Sequence, residues 1–198
     1  MDSQKDRKPG RPRNADLDDR VLKITLRQLA EQGYSRLSID SIAETAGVSK
    51  PSIYRRWPGK ADLATAALST LQVSEPVVDT GDTRQDLVGV LTNFRKNLLR
   101  PNGMTLIGTV LAEEAITPEL MELFRERIVK PRRRMLRKIL ERADERGELK
   151  PAVEIRAAVH MLVGAFYAHY LAKPEIGKDF PQQIVDIVWA GIAKGAGR

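Results

Sequence analysis

The sequence predicts an all-α protein in two parts, an N-terminal three-helix unit carrying a helix-turn-helix and a larger helical bundle behind it. Three observations lead there. After residue 14, apolar residues recur at three- and four-residue spacing along nearly the whole chain, with no strand-like alternation and no internal repeat. Glycine and proline interrupt that pattern at intervals suited to helices. Charge is uneven: of the net +7, residues 1–60 carry +5 and the remainder +2. A basic N-terminal unit joined to a more neutral partner is the footprint of a polyanion-binding module with a companion domain.

Residues 1–14 form a basic arm that includes Lys8-Pro9-Gly10-Arg11-Pro12-Arg13. The first helix spans about 15–32, with Leu17, Val21, Ile24 and Leu29 on its apolar side, and stops at Gly33, which suits a positive φ at the residue after a helix. Ser38 is placed to cap a short second helix bearing Ile39, Ile42, Ala43 and Ala46, which ends at Gly47. The capping box is incomplete, because Ser41 stands where Glu or Gln would reach back. Ser49 then caps a third helix, about 50–56. Pro51 marks its start, since first-turn amides have no intrahelical acceptor to lose. After Pro58-Gly59 a fourth helix runs from Lys60 to about Leu71, completing a unit over 15–71.

Gln72 to Gly81 has no helical period and reads as a link. The second part, 82–198, is expected to hold helices near 82–100, 103–115, 118–146, 154–172 and 180–195. Pro131 should kink or split the third of these.

With 198 residues and 42% hydrophobic content the chain can cover its own core. It has no cysteine, which excludes disulfides and thiolate metal sites and fits a reducing compartment. The N-terminus shows no apolar signal-like run. The longest stretch free of charge, Ala157 to Ala172, falls short of the ~20 residues of a spanning helix. A cytoplasmic protein with a buried helix there is expected.

The second and third helices, joined by a glycine turn, have the dimensions of a helix-turn-helix. Ile53 and Trp57 are spaced to face the core, leaving Lys50, Ser52, Tyr54, Arg55 and Arg56 outward. Lysine and arginine can bond guanine edges or phosphates, and hydroxyls reach phosphate oxygens. Lys60 sits at the start of the fourth helix, where free amides also attract phosphate. An ordinary solvated basic surface is the competing interpretation.

The run LRQLAEQGYSRLSIDSIAETAGVSKPSIYRRWPGKADL resembles the N-terminal domain of the TetR family of transcriptional regulators. The resemblance rests on Gly33-Tyr34, Ser38-Ile39, Ile42-Ala43, Ala46-Gly47-Val48-Ser49, Ile53-Tyr54, Trp57 and Lys60 with Leu63. Trp57 stands where phenylalanine is commonest, and Pro58-Gly59 is a mild variation. The resemblance implies base-edge contacts from Lys50, Pro51, Ser52 and Arg56 in the major groove. It implies phosphate contacts from Ser38, Tyr54 and Lys60, with Arg55 able to do either. Ser49 opens the reading helix and Trp57 anchors its end. In the arm, Arg11 and Arg13 resemble the Gly-Arg-Pro core of minor-groove AT-hook peptides, with a solvated basic tail as the alternative.

For the second part the resemblance implies a bundle that binds a small-molecule effector and forms a homodimer through its last two helices. The apolar character of 154–172 and 180–195 agrees. Candidate pocket residues are Phe94, Leu98, Leu106, Val110, Met121, Met135, Met161 and Tyr167, with Glu114, His160 and His169 as polar partners, lining a pliable and mainly apolar site. No cofactor, metal or catalytic activity is expected, since the two histidines lie nine residues apart and form no Glu-x-x-His pair. The expected function is a homodimeric repressor released from a pseudo-palindromic operator by a small ligand. The alternatives are an activator of the same family and a non-regulatory DNA-binding protein.

Overall fold

The computed structural model describes residues 15–71, 79–173 and 175–195, so the arm with Arg11 and Arg13 and most of the predicted link lie outside the described residues. The described chain is helical, with one isolated antiparallel bridge between Leu149 and Ala193. Helices α1 (Ala15–Gln32), α2 (Ile39–Ala46), α3 (Lys50–Tyr54) and α4 (Lys60–Ser69) form the N-terminal unit. They are followed by α5 (Thr83–Leu98), α6 (Gly103–Ala112), α7 (Pro118–Phe124), a π turn (Arg125–Val129), α8 (Lys130–Glu145), α9 (Ile155–Ala172) and α10 (Phe180–Ile192).

Local chemistry explains most ends. Gly33 and Gly47 take the left-handed conformation that closes α1 and α2, at φ 79° and 65°. At Gly47 two backbone bonds, Gly47 N–H to Glu44 O (3.0 Å) and Val48 N–H to Ala43 O (2.9 Å), make a Schellman closure. Asp82 caps α5 by accepting from the Gln85 amide at 3.0 Å.

Pro131 neither breaks the chain into separate helices at a loop nor interrupts the right-handed backbone. The π turn immediately before it absorbs the problem: the Lys130 amide bonds Arg125 O, five residues back, and the proline follows with no N–H to place.

Packing does not follow chain order. One apolar cluster contains Val21, Ile42, Ile53 and Leu63 of the N-terminal unit together with Leu106 and Val110 of α6, Leu120 and Phe124 of α7, and Ile128 of the π turn. The other joins α5, α8, α9 and α10 through Leu91, Phe94, Leu136, Leu162, Phe166 and Val185. Helices α6 and α7 thus belong by packing to the helix-turn-helix unit, although they follow α5 in sequence.

The entry to α6 is tight. A Cβ on Gly103 would lie 2.6 Å from the carbonyl oxygens of both Asn97 and Leu98. Gly103→Ala is therefore expected to cost about 1–3 kcal/mol by overpacking, seen as a lowered urea midpoint at an unchanged m-value.

Candidate nucleic-acid interface

The exposed side of the helix-turn-helix is assembled from local backbone bonds. Ser38 is extended (φ −118°, ψ 116°), and its hydroxyl accepts from the Ser41 amide at 3.3 Å. Ser49 is also extended, and its carbonyl accepts from Ser52 (2.9 Å) and Ile53 (3.4 Å), but its hydroxyl makes no capping bond. Pro51 sits in the first turn of α3, where it removes no bond. The regular helix ends at Tyr54, two residues earlier than predicted, where the last turn tightens and the Arg56 amide donates to Ile53 O, three residues back, at 2.9 Å. Helical bonding still reaches Trp57, whose amide donates to Ile53 O at 2.9 Å.

Ile53 is only 1% exposed and Trp57 is half-buried against the same cluster, so the pair anchors the element. Lys50, Pro51, Tyr54 and Arg55 are exposed, with Ser52 and Arg56 partly so. The basic groups rest on acceptors of the chain itself. Lys50 pairs with Asp40 of α2. Arg56 pairs with Asp18 of α1 at 2.5 Å and donates to Ser52 O at 3.0 Å. Arg55 donates to the Ser52 hydroxyl at 3.2 Å. Exposed pairs of this kind are worth ~0–1 kcal/mol, so a phosphate can replace the carboxylate at little cost.

Lys60 is held differently. Its ammonium donates to Ser35 O at 3.0 Å and lies 4.6 Å from the centre of the Tyr34 ring. Behind this pair, the Ser35 hydroxyl donates to the buried carboxylate of Glu113 at the end of α6. Burial lowers the Lys60 pKa, opposed by the charge of Glu113. Burial, reinforced by Glu119 and Glu113, pushes the Tyr34 phenol from 10.0 up to about 12. A second link lies close by: Arg127 of the π turn reaches α4, with 2.5 Å to the Asp62 carboxylate and 2.8 Å to the Thr65 hydroxyl.

Beyond these links, α6, α7, the π turn, α8 and α9 line a half-open cavity of about 480 Å³. A smaller one of about 40 Å³ adjoins α4, α5 and α6. The larger is lined by Met121, Phe124 and Val163, and also by Arg125, Lys130, Arg132 and Arg133.

Comparison with known proteins matches this arrangement. Residues 21–67 fit the model of bacterial regulatory proteins of the tetR family, and residues 77–188 fit that of the tetracyclin repressor-like C-terminal domain. The chain belongs to the TetR family. It is 31% identical over 187 residues to the HTH-type transcriptional regulator YdeS of Bacillus subtilis, covering 93% of this chain and 94% of that one. It is 34% identical over 155 residues to the DNA-binding transcriptional repressor TetR of Mycobacteroides abscessus, covering 76% and 80%. The crystal structure of the regulator FadR from Bacillus subtilis in complex with stearoyl-CoA has the same fold, with a TM-score of 0.70 at 19% identity over 87% of this chain and 98% of that one.

As a TetR-family regulator the chain is a helix-turn-helix DNA-binding protein, and its family is one of transcriptional regulators, not enzymes. Among the described residues no group of three His, Asp or Glu side chains could hold a metal, and no helix is long and apolar enough to cross a membrane. Of the predicted pocket residues, Phe94, Leu98 and Leu106 line the small cavity, and Glu114, Met121 and Tyr167 line the large one. Val110 is buried in the helix-turn-helix cluster instead, Met135 is partly buried on α8, and His160 and Met161 point out of α9. None of these four lines either cavity, because each lies on a helix face turned to another neighbour or to solvent.

Sequence reasoning missed Asp18, Asp40, Ser35 and Arg127, whose partners lie in other helices, and it missed Arg132. For the last a signal existed: Arg132 stands four and seven residues before Leu136 and Ile139, on the buried face of α8.

Tyr34 supplies a pH test. Below pH 10 the phenol is neutral in both folded and unfolded chains. As pH rises from 10 to about 12 the unfolded chain loses the proton first, so stability falls. The stability difference between wild type and Tyr34→Phe, flat below pH 10, is expected to shift against the wild type across that window in denaturant titrations.

Proposed function

We propose that this TetR-family chain is a homodimeric, cytoplasmic repressor that leaves a pseudo-palindromic operator when a small ligand occupies the 480 Å³ cavity. The observation that carries the reading is the shared framework: α6, α7 and the π turn wall the cavity and also pack into the cluster that seats α3 and α4. A ligand that fits one arrangement of these helices better than another must, by linkage, change DNA affinity by the same coupling free energy. Glu113 on Ser35 and Arg127 on Asp62 are the polar handles through which a shift of α6 or the π turn reaches the reader. That the B. subtilis FadR neighbour is a regulator complexed with stearoyl-CoA, at 19% identity, supports a ligand-holding bundle as a use of this fold.

Dimerisation is supported by the outer faces of α9 and α10. Met161 (59% exposed), Leu171 (83%) and Ile187 (67%) stand there among exposed Ala157, Gly164, Ala168, Ala190 and Gly191. Small residues between large apolar ones permit two helix pairs to approach closely about a two-fold axis. Two readers so related fit half-sites one turn, ~34–36 Å, apart or at a related spacing.

On DNA, Lys50, Ser52 and Arg56 exchange their internal partners for base edges, with Pro51 against a thymine methyl. Ser38, Tyr54 and Lys60 take phosphates, and Arg55 either. Fragments selected from the source genome at physiological salt provide the operator for the test. Two chains should bind each selected site. Arg56→Ala should relax base preference by about 1–3 kcal/mol at its position, whereas Lys60→Ala should weaken all sequences alike and lower the salt slope by about one. Unchanged DNA affinity in both variants would sink the assignment of α3 and the α4 start as the reader.

A further inference from the structure

The cavity contains a charge that the fold leaves without a counter-ion. Arg132 lies on the face of α8 that carries Leu136, Ile139 and Ala143 into the core, and its guanidinium stacks 4.3 Å from the centre of the Phe94 ring. Burial lowers its pKa, and its near electrostatic neighbour is the neutral phenol of Tyr167. An arginine does not shed its proton in a protein, so the charge stays. Among the described residues no ion pair or hydrogen bond engages Arg132. The lining's other cations are better served: Arg125 pairs with Glu114, Lys130 with Glu126, and Arg133 lies 3.3 Å from Nε2 of His160. A stacked ring recovers only part of what desolvating a guanidinium costs.

We infer that the cavity takes a small amphipathic anion, whose carboxylate pairs with Arg132 beside the Tyr167 hydroxyl while its apolar body lies against Met121, Phe124 and Val163. This deepens the ligand-released reading and rests on it only for the consequence at DNA. A volume near 480 Å³ suits one drug-sized molecule. The planar fork of arginine suits a carboxylate in two parallel bonds, which a site built for a neutral ligand has no reason to carry. The sequence-based expectation of a mainly apolar pocket is thereby sharpened: apolar walls, with a cation at the α8 side.

The test compares decanoate, decanol and decyltrimethylammonium by calorimetric titration into the full chain. Decanoate should bind about 10-fold to 100-fold more tightly than decanol, with the cation weakest. Arg132→Gln should abolish that preference by weakening decanoate far more than decanol, and Arg132→Lys should retain part of it. Because a half-buried charge without a counter-ion is removed, ligand-free Arg132→Gln should melt at or above the wild-type temperature. Equal binding of decanoate and decanol to the wild type, absence of binding by either, or a preference that survives Arg132→Gln would overturn the inference. So would a lowered melting temperature in Arg132→Gln, which would mark the arginine as structural. Operator release is scored separately: Arg132-dependent decanoate binding without release upholds the anion site and defeats the ligand-release reading. Release by decanol equal to that by decanoate does the reverse.

Discussion

The burial of Ile53 of α3 and Leu63 of α4 in one apolar cluster with Phe124 of α7 and Ile128 of the π turn is the constraint on which the rest of this structure depends. A five-residue helix such as α3 has no stability of its own, since nucleation alone costs more than its bonds return. Its orientation comes from Ile53, and full burial of such a side chain is worth about 1.5–3 kcal/mol. The same cluster forbids α6 and α7 from moving without a response in the helix-turn-helix. Close packing of this kind favours alternative seatings over gradual deformation. The helix-turn-helix and one wall of the cavity are thus parts of one packed unit.

Polar contacts refine that arrangement in two distinct ways. Those at the outer surface, Lys50 with Asp40 and Arg56 with Asp18, are exposed enough to be exchanged for phosphate or base edges. Those at the junction, Ser35 with Glu113 and Arg127 with Asp62 and Thr65, involve buried or half-buried partners and tie elements far apart in sequence. The difference lies in the buried acceptors: Glu113 and Thr65 are buried, so water competes less for the contacts they receive. Lys60 stands between the two, anchored by Ser35 and Tyr34 yet at the start of α4.

The π turn joins these themes. Pro131 cannot donate to a preceding carbonyl, and the wider turn before it accommodates the loss without a loop. It also sets Arg127 toward α4 and Arg132 toward Phe94, five residues apart. One local backbone adjustment thus positions both the grip on the reader and the cation of the cavity.

Much of this was legible in the chain. The 3.6-residue period, Ser38, Gly33, Gly47, Pro51 and Pro58-Gly59 determined the helices and the turn, because caps and left-handed glycines act over a few residues. The spacing of Ile53 and Trp57 determined which side of α3 faces inward. What the sequence could not supply was partnership between helices. Asp18 reaching Arg56, Glu113 reaching Ser35, and α6 and α7 packing on the helix-turn-helix before α5 all depend on how helices cross in space. Val110, Met135, His160 and Met161 fall outside both cavities for that reason: composition marks a residue as apolar or polar, but only the neighbouring helix decides whether its face meets core, cavity or solvent.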